Sequence, residues 1–222
     1  MSPNRLTKKQ LKEDTFISTT VRVWEYVREH QNMVFIGLIV IVVIIAGALW
    51  VSSARRQTRE AAANQLAEAL THYRTGNFKT AEEFFKLVTN RHKNMREGVY
   101  ATYFIGKCAL EDGRNLEALD AFNSYLTQSN RYPFFHDAAM AGKATALENE
   151  RRYEEAAEVY LELAENLKTN DFYKKEYLER AAVNLKQSNQ KDRAIEVMEK
   201  LLELTTGLEH RDLEIEIEIM KS

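Results

Sequence analysis

The sequence predicts an all-α protein: one N-terminal transmembrane helix followed by a solenoid of about four helix pairs. Three observations carry this. An uninterrupted apolar run fills residues 33–51, the composition beyond it is that of helices, and a repeat of 37 to 38 residues organises the chain after the run.

The run reads MVFIGLIVIVVIIAGALWV, and no charge lies between His30 and Arg55. A helix rises about 1.5 Å per residue, so such a run matches a hydrocarbon core of roughly 30 Å. A helix in the core of a soluble domain is rarely this apolar on both faces. A cleavable signal peptide would be shorter and end at small residues, whereas here 32 residues precede the run and Arg55-Arg56 follow its exit. Trp24, Tyr26 and Trp50 suit the interfacial belt. The run holds no ionisable residue and no Gly-x-x-x-Gly pair, so neither an ion path nor a close-packed dimer face is expected in it. The chain divides into a tail (1–32), a span through the lipid bilayer (33–53), a repeat domain (54–210) and a C-terminal tail (211–222).

Charge narrows the function classes. The 222 residues carry a formal net charge of −2, but residues 60–222 hold 22 Lys and Arg against 29 Asp and Glu, a net −7. No basic footprint invites nucleic acid. The tail's six basic and four acidic residues are too balanced for a strong anionic-lipid patch. Cys108 is the one cysteine, which forbids an intrachain disulfide and reads as a small apolar packing residue. Only Pro3 and Pro133 interrupt a chain rich in Ala, Leu, Glu and Lys, the chemistry of helices.

The repeat is anchored on Ala81, Ala118, Ala156 and Ala194, spaced by 37, 38 and 38 residues. Twelve residues before each stands a small residue: Ala69, Gly106, Ala144 and Ala182. Four residues after each comes a large one: Phe85, Phe122, Tyr160 and Met198. Antiparallel helices approach closely only where small side chains cross, and a large residue then fills the neighbouring gap. The turn between paired helices needs positive φ, hence Gly76, Gly113 and Asn189. One pair cannot bury its apolar face alone, so copies stack.

This arrangement resembles the tetratricopeptide repeat, most closely in the second copy, with Gly106, Ala109, Gly113, Ala118 and Phe122. The leading Trp position of that family is Gln65, Thr102, Met140 or Leu178 here. Its trailing proline is missing unless Pro133 stands in for it in the second copy, and the period exceeds 34 residues, implying longer links such as residues 90–98. Tail, anchor and repeats together resemble bacterial single-pass membrane tetratricopeptide proteins of the ancillary Sec-translocon subunit type, as does the tail stretch 6–14, LTKKQLKED. That resemblance implies a bacterial inner-membrane protein whose repeats face the periplasm and assist protein export or folding, beside translocon, chaperone or client polypeptide.

Charge alone leaves orientation open. Close to the run, Arg22 and Arg28 stand on the near side, and Arg55, Arg56 and Arg59 on the far side, while the tail adds Arg5, Lys8, Lys9 and Lys12. A cytosol-facing membrane receptor, or an envelope scaffold coordinating division or assembly, is the alternative. No Gly or Pro interrupts residues 54–74, so the anchor helix is expected to run on into the first repeat helix.

No catalytic constellation is expected, and no metal or cofactor. The five histidines show no metal-binding spacing, no Gly-rich phosphate loop occurs, and adjacent acids such as Glu82-Glu83 do not converge on a helix. The expected task is binding protein partners in the groove that first helices line. Its partner-binding candidates are Tyr73, Arg74, Tyr100, Tyr103, Lys107, Glu111 and Lys186, joined in the same register by Leu66, Leu70, Glu148, Glu179 and Val183. Tyr73, Tyr100, Tyr103 and Lys107 set amphipathic rings beside a cation, suited to extended peptide, although tyrosines packed between repeats would give the same pattern. A homo-oligomer using the groove on itself stays open. Residues 212–220 alternate apolar and acidic, which fits either a strand added to a partner's sheet or a capping helix or frayed end, the latter pair being favoured.

Overall fold

The computed structural model describes Trp24, residues 27–167 and residues 171–222; expectations for the tail 1–23 and for Tyr26 lie outside them. The chain divides into two compact units, residues 1–58 and residues 59–222. Among the described residues regular structure is helical, with no strand.

Helix α1 spans Gln31–Arg74 as one 44-residue helix. In the first unit, every residue from 35 to 58 is exposed, and nothing described buries the apolar window. Length and composition suffice to cross a membrane.

The second unit is built of helix pairs. After α1 come α2 (Phe78–Arg91), α3 (Arg96–Glu111), α4 (Asn115–Gln128), a one-turn 3-10 helix (Pro133–Phe135) and α5 (His136–Asn149). The chain continues through α6 (Tyr153–Asn166), α7 (Asp171–Gln187), α8 (Lys191–Leu202) and α9 (Gly207–Lys221). The pairs are the end of α1 with α2, α3 with α4, α5 with α6, and α7 with α8.

One turn recurs in all four pairs. Residues Gly76, Gly113, Arg151 and Asn189 have positive φ, between 58° and 78°. At each, the next residue's N–H reaches back five residues, as in Asn77 to the His72 carbonyl (3.0 Å) and Arg152 to the Leu147 carbonyl (2.9 Å). This is the Schellman stop, which satisfies carbonyls left over at a helix end. The repeat alanines come directly after: Ala81, Ala118, Ala156 and Ala194 each donate the first backbone hydrogen bond of their helix. Sequence reasoning found three of these turn residues and missed Arg151, whose long β-unbranched side chain gives no left-handed signal.

All four repeat alanines are wholly buried, as are Ala69 and Ala144, and Phe85, Phe122, Tyr160 and Met198 are at most 1% exposed. Phe122 is gripped by glycine on two helices: a Cβ on Gly106 would come 2.8 Å from its ring, and one on Gly142 2.5 Å. Cys108 is buried, and burial pushes its thiol pKa up to about 12, so it packs rather than reacts.

The C-terminal segment is helix, which overturns the strand reading. The alternating apolar positions include Leu213 and Ile217, and with Met220 these recur at helical spacing and pack on the core. Helix α9 runs through position 210, across the division drawn there between repeat domain and tail.

Candidate functional site

The first helices of the early repeats present a connected set of aromatic rings. Helix α3 supplies Tyr100, Tyr103 and Phe104, the end of α1 supplies Tyr73, and the link between α4 and α5 supplies Tyr132, Phe134 and Phe135. That link is held by Tyr125 of α4, whose hydroxyl donates to the Tyr132 carbonyl (2.8 Å) and accepts the Phe135 N–H (3.0 Å). Ser129 Oγ and His136 Nδ1 close it from the side at 2.9 Å. Pro133 opens the 3-10 turn at a position where its missing N–H costs nothing.

Tyr103 and Phe135 stack at 4.5 Å with planes 3° apart, and Tyr100 meets Phe135 edge-on at 4.9 Å. Tyr73 and Phe104 meet edge-on at 5.7 Å, and Phe104 stacks on Phe85 at 5.2 Å. Phe134 stands apart: it leans on Tyr100 (6.0 Å) and Phe135 (4.8 Å) yet is 76% exposed. The Arg131 guanidinium lies 5.4 Å from the centre of the neighbouring Tyr132 ring.

The candidate residues therefore fall into different places. Tyr103 is buried and belongs to the packing between repeats; burial pushes its pKa up to about 12. Tyr73 is half-buried, and burial, with Glu111 and Cys108 nearby, raises its pKa. Tyr100 is half-buried and keeps an edge toward Phe134, while Arg74 is exposed. Lys107 and Glu111 pair with each other along α3 at 3.4 Å. Lys186 is not brought to the aromatic set: it lies on α7, and its ammonium is held 2.5 Å from Glu216 of α9.

Sequence reasoning missed Tyr132, Phe134 and Phe135, the residues that complete the surface. The run Tyr-Pro-Phe-Phe was their signal, but it lies in a link, and the repeat register assigns faces only to helices.

Farther along, side chains of α5, α6 and α7 bond to one another. Glu148 of α5 accepts from Arg180 (2.7 Å) and Asn184 (2.5 Å) of α7 and from the Tyr160 hydroxyl (2.9 Å). The Arg180 guanidinium also covers the Tyr160 ring at 5.5 Å. This knot links adjacent repeats through α5 and α7. Among the described residues, no group of three or more His, Cys, Asp or Glu could hold a metal ion.

Residues 54–133 match the tetratricopeptide repeat family. The fold is a tetratricopeptide-like solenoid.

Solved structures agree with this at the level of fold. A double mutant of MamA from RS-1 is similar at a TM-score of 0.54 and 20% identity, over 64% of this chain and 74% of that one. The nearly identical TPR-like repeats of a kinesin light chain from Podosopora anserina align at 0.54 and 13%, over 71% of this chain and 93% of theirs. BtubC (BKLC) from P. vanneervenii aligns at 0.52 and 16%, over 68% of each chain. No protein of curated function matches the chain. Tetratricopeptide-like arrays are interaction scaffolds, stacked helices that offer a surface rather than a reaction centre.

Proposed function

We propose that this chain is a membrane-anchored protein–protein interaction module of the bacterial inner membrane, with its repeat array in the periplasm, where it assists protein export or folding beside the Sec translocon. The observation that carries the reading is one pairing: an apolar window with nothing described to bury it, joined in the same chain to a tetratricopeptide-like array. Apolar surface of that extent needs a bilayer or a partner to cover it. In this reading residues 33–53 hold the chain in the lipid, and the aromatic surface takes extended segments of protein partners. Phe134 and Tyr100 receive an apolar side chain, and the Arg131 guanidinium favours an acid beside it.

Paired C-terminal fusions to alkaline phosphatase and to a fluorescent protein test the location. Phosphatase activity without fluorescence is expected. Fluorescence without phosphatase activity overturns the periplasmic reading and favours the cytosol-facing receptor, for which Arg55, Arg56 and Arg59 beyond the run already speak. Photo-crosslinkers at Tyr100 and Phe134 then identify the partner. Translocon, chaperone or secreted clients are expected; division or assembly proteins would instead make the chain an envelope scaffold. Labelling no different from a control at exposed Glu83 would discard the aromatic surface as the site.

A further inference from the structure

Helix α9 packs on α8 and the core with one face and exposes the other. Leu213, Ile217 and Met220 pack on the core, and Lys175 and Lys186 of α7 hold Glu209 and Glu216 as ion pairs. On the opposite face stand Leu208, Ile215 and Ile219, exposed by 79%, 50% and 67%. Apolar side chains grouped on one exposed helix face mark a contact surface.

We infer that this face pairs two copies of the chain through an antiparallel α9–α9 contact about a two-fold axis. Positions 208, 212, 215 and 219 succeed one another at alternating steps of four and three, the spacing of a coiled-coil seam. Turned antiparallel on itself, the stripe sets Leu208 against Ile219 of the second copy, and Ile219 against Leu208. Arg211 and Glu218 flank the seam on one edge, and the same operation brings Arg211 opposite Glu218 of the second copy, twice. No ion pair within the chain, among the described residues, engages either. The other edge sets Glu209 against Glu216 of the second copy, a repulsion that Lys175 and Lys186 already neutralise.

Complementarity that is reciprocal under a two-fold operation is the mark of a self-pairing surface. Asp212 alone works against it, since it lies within the seam opposite Ile215 of the second copy. The contact belongs to the last helix and does not depend on which side of a membrane carries the array.

The test is the oligomeric state of the full-length chain in detergent, by sedimentation, with circular dichroism checking that each variant keeps its helicity. The native chain is expected to be a dimer. Arg211→Glu and Glu218→Arg should each weaken it by about tenfold, because two symmetry-related attractions become like-charge contacts. The double exchange should restore native affinity, Ile219→Asp should leave monomers, and Asp212→Leu should tighten the dimer. A monomeric native chain, an Ile219→Asp variant that still dimerises, or a double exchange that fails to restore pairing overturns the inference.

Discussion

The ring of Phe122 occupies the space that a side chain on Gly142 would need, with Cζ only 2.5 Å from where a Cβ would sit. A Cβ on Gly106, on another helix, would come within 2.8 Å of the same ring, and Phe122 is wholly buried, so the ring has nowhere to yield. Gly142→Ala gains about 1 kcal/mol of helix propensity and loses about 1–3 kcal/mol to overpacking. The clamp makes the second effect win. Thermal unfolding should show a lower midpoint for Gly142→Ala, and Phe122→Leu in the same chain should recover part of the loss, a coupling that distant sites would not show. A midpoint at or above the native value would mean that the repeats separate easily here.

Arg151 occupies the left-handed position that glycine fills at the corresponding turns, Gly76 and Gly113, at φ 58°. A non-glycine residue there costs about 1–2 kcal/mol, partly offset because glycine loses more freedom on folding. Arg151→Gly should therefore raise stability by about 0.5–1 kcal/mol, read as a higher melting temperature. Arg151→Val, with a branched Cβ at the same φ, should lower it.

The turns explain how far the sequence is legible. Ala81, Ala118, Ala156 and Ala194 declare the repeat because only a small residue fits where two helices meet, and the same steric rule operates in sequence and structure. The apolar run is equally plain, since its length and composition act without reference to any neighbour. Arg151 and the aromatic link are different cases. A left-handed arginine is tolerated because the surrounding Schellman hydrogen bonds over-determine it, and nothing local announces that. Phe135 reaches Tyr103 because Tyr125 ties the link from ten residues away. Tyr103 shows the limit from the other side: its spacing suits a groove, but a ring from outside the repeat register covers it.

Glu82 should govern part of the response to acid. Burial pushes its carboxyl up, but hydrogen bonds from Arg114 and Lys86 outweigh this and hold it below the ordinary 4.5. A lowered native pKa gives stability that is complete above the unfolded value and is lost as pH falls through the native one. The native array should thus weaken below about pH 4.5, the ordinary carboxyl range. Arg114→Met leaves a buried carboxylate with Lys86 alone, at a cost of about 2 kcal/mol at neutral pH, and moves the acid loss to higher pH. Urea denaturation from pH 3 to 7 would read both. An acid limb that is the same in Glu82→Gln and the native chain would remove Glu82 from the account.

Tyr125 separates the stability of the aromatic surface from its exposure. Its hydroxyl both donates to Tyr132 and accepts from Phe135, so Tyr125→Phe strands a carbonyl and an N–H at a cost of about 1–3 kcal/mol. Exposed Phe134 carries no such duty, and Phe134→Ala should change stability by less than about 0.5 kcal/mol. Amide exchange gives the sharper reading. In Tyr125→Phe, protection should fall first at Phe135 and its neighbours in the link, while the helices of the last two pairs keep theirs. Uniform loss of protection would mean that the hydroxyl supports the whole array; no loss would mean that the ring stack of Tyr103 on Phe135 holds the link by itself.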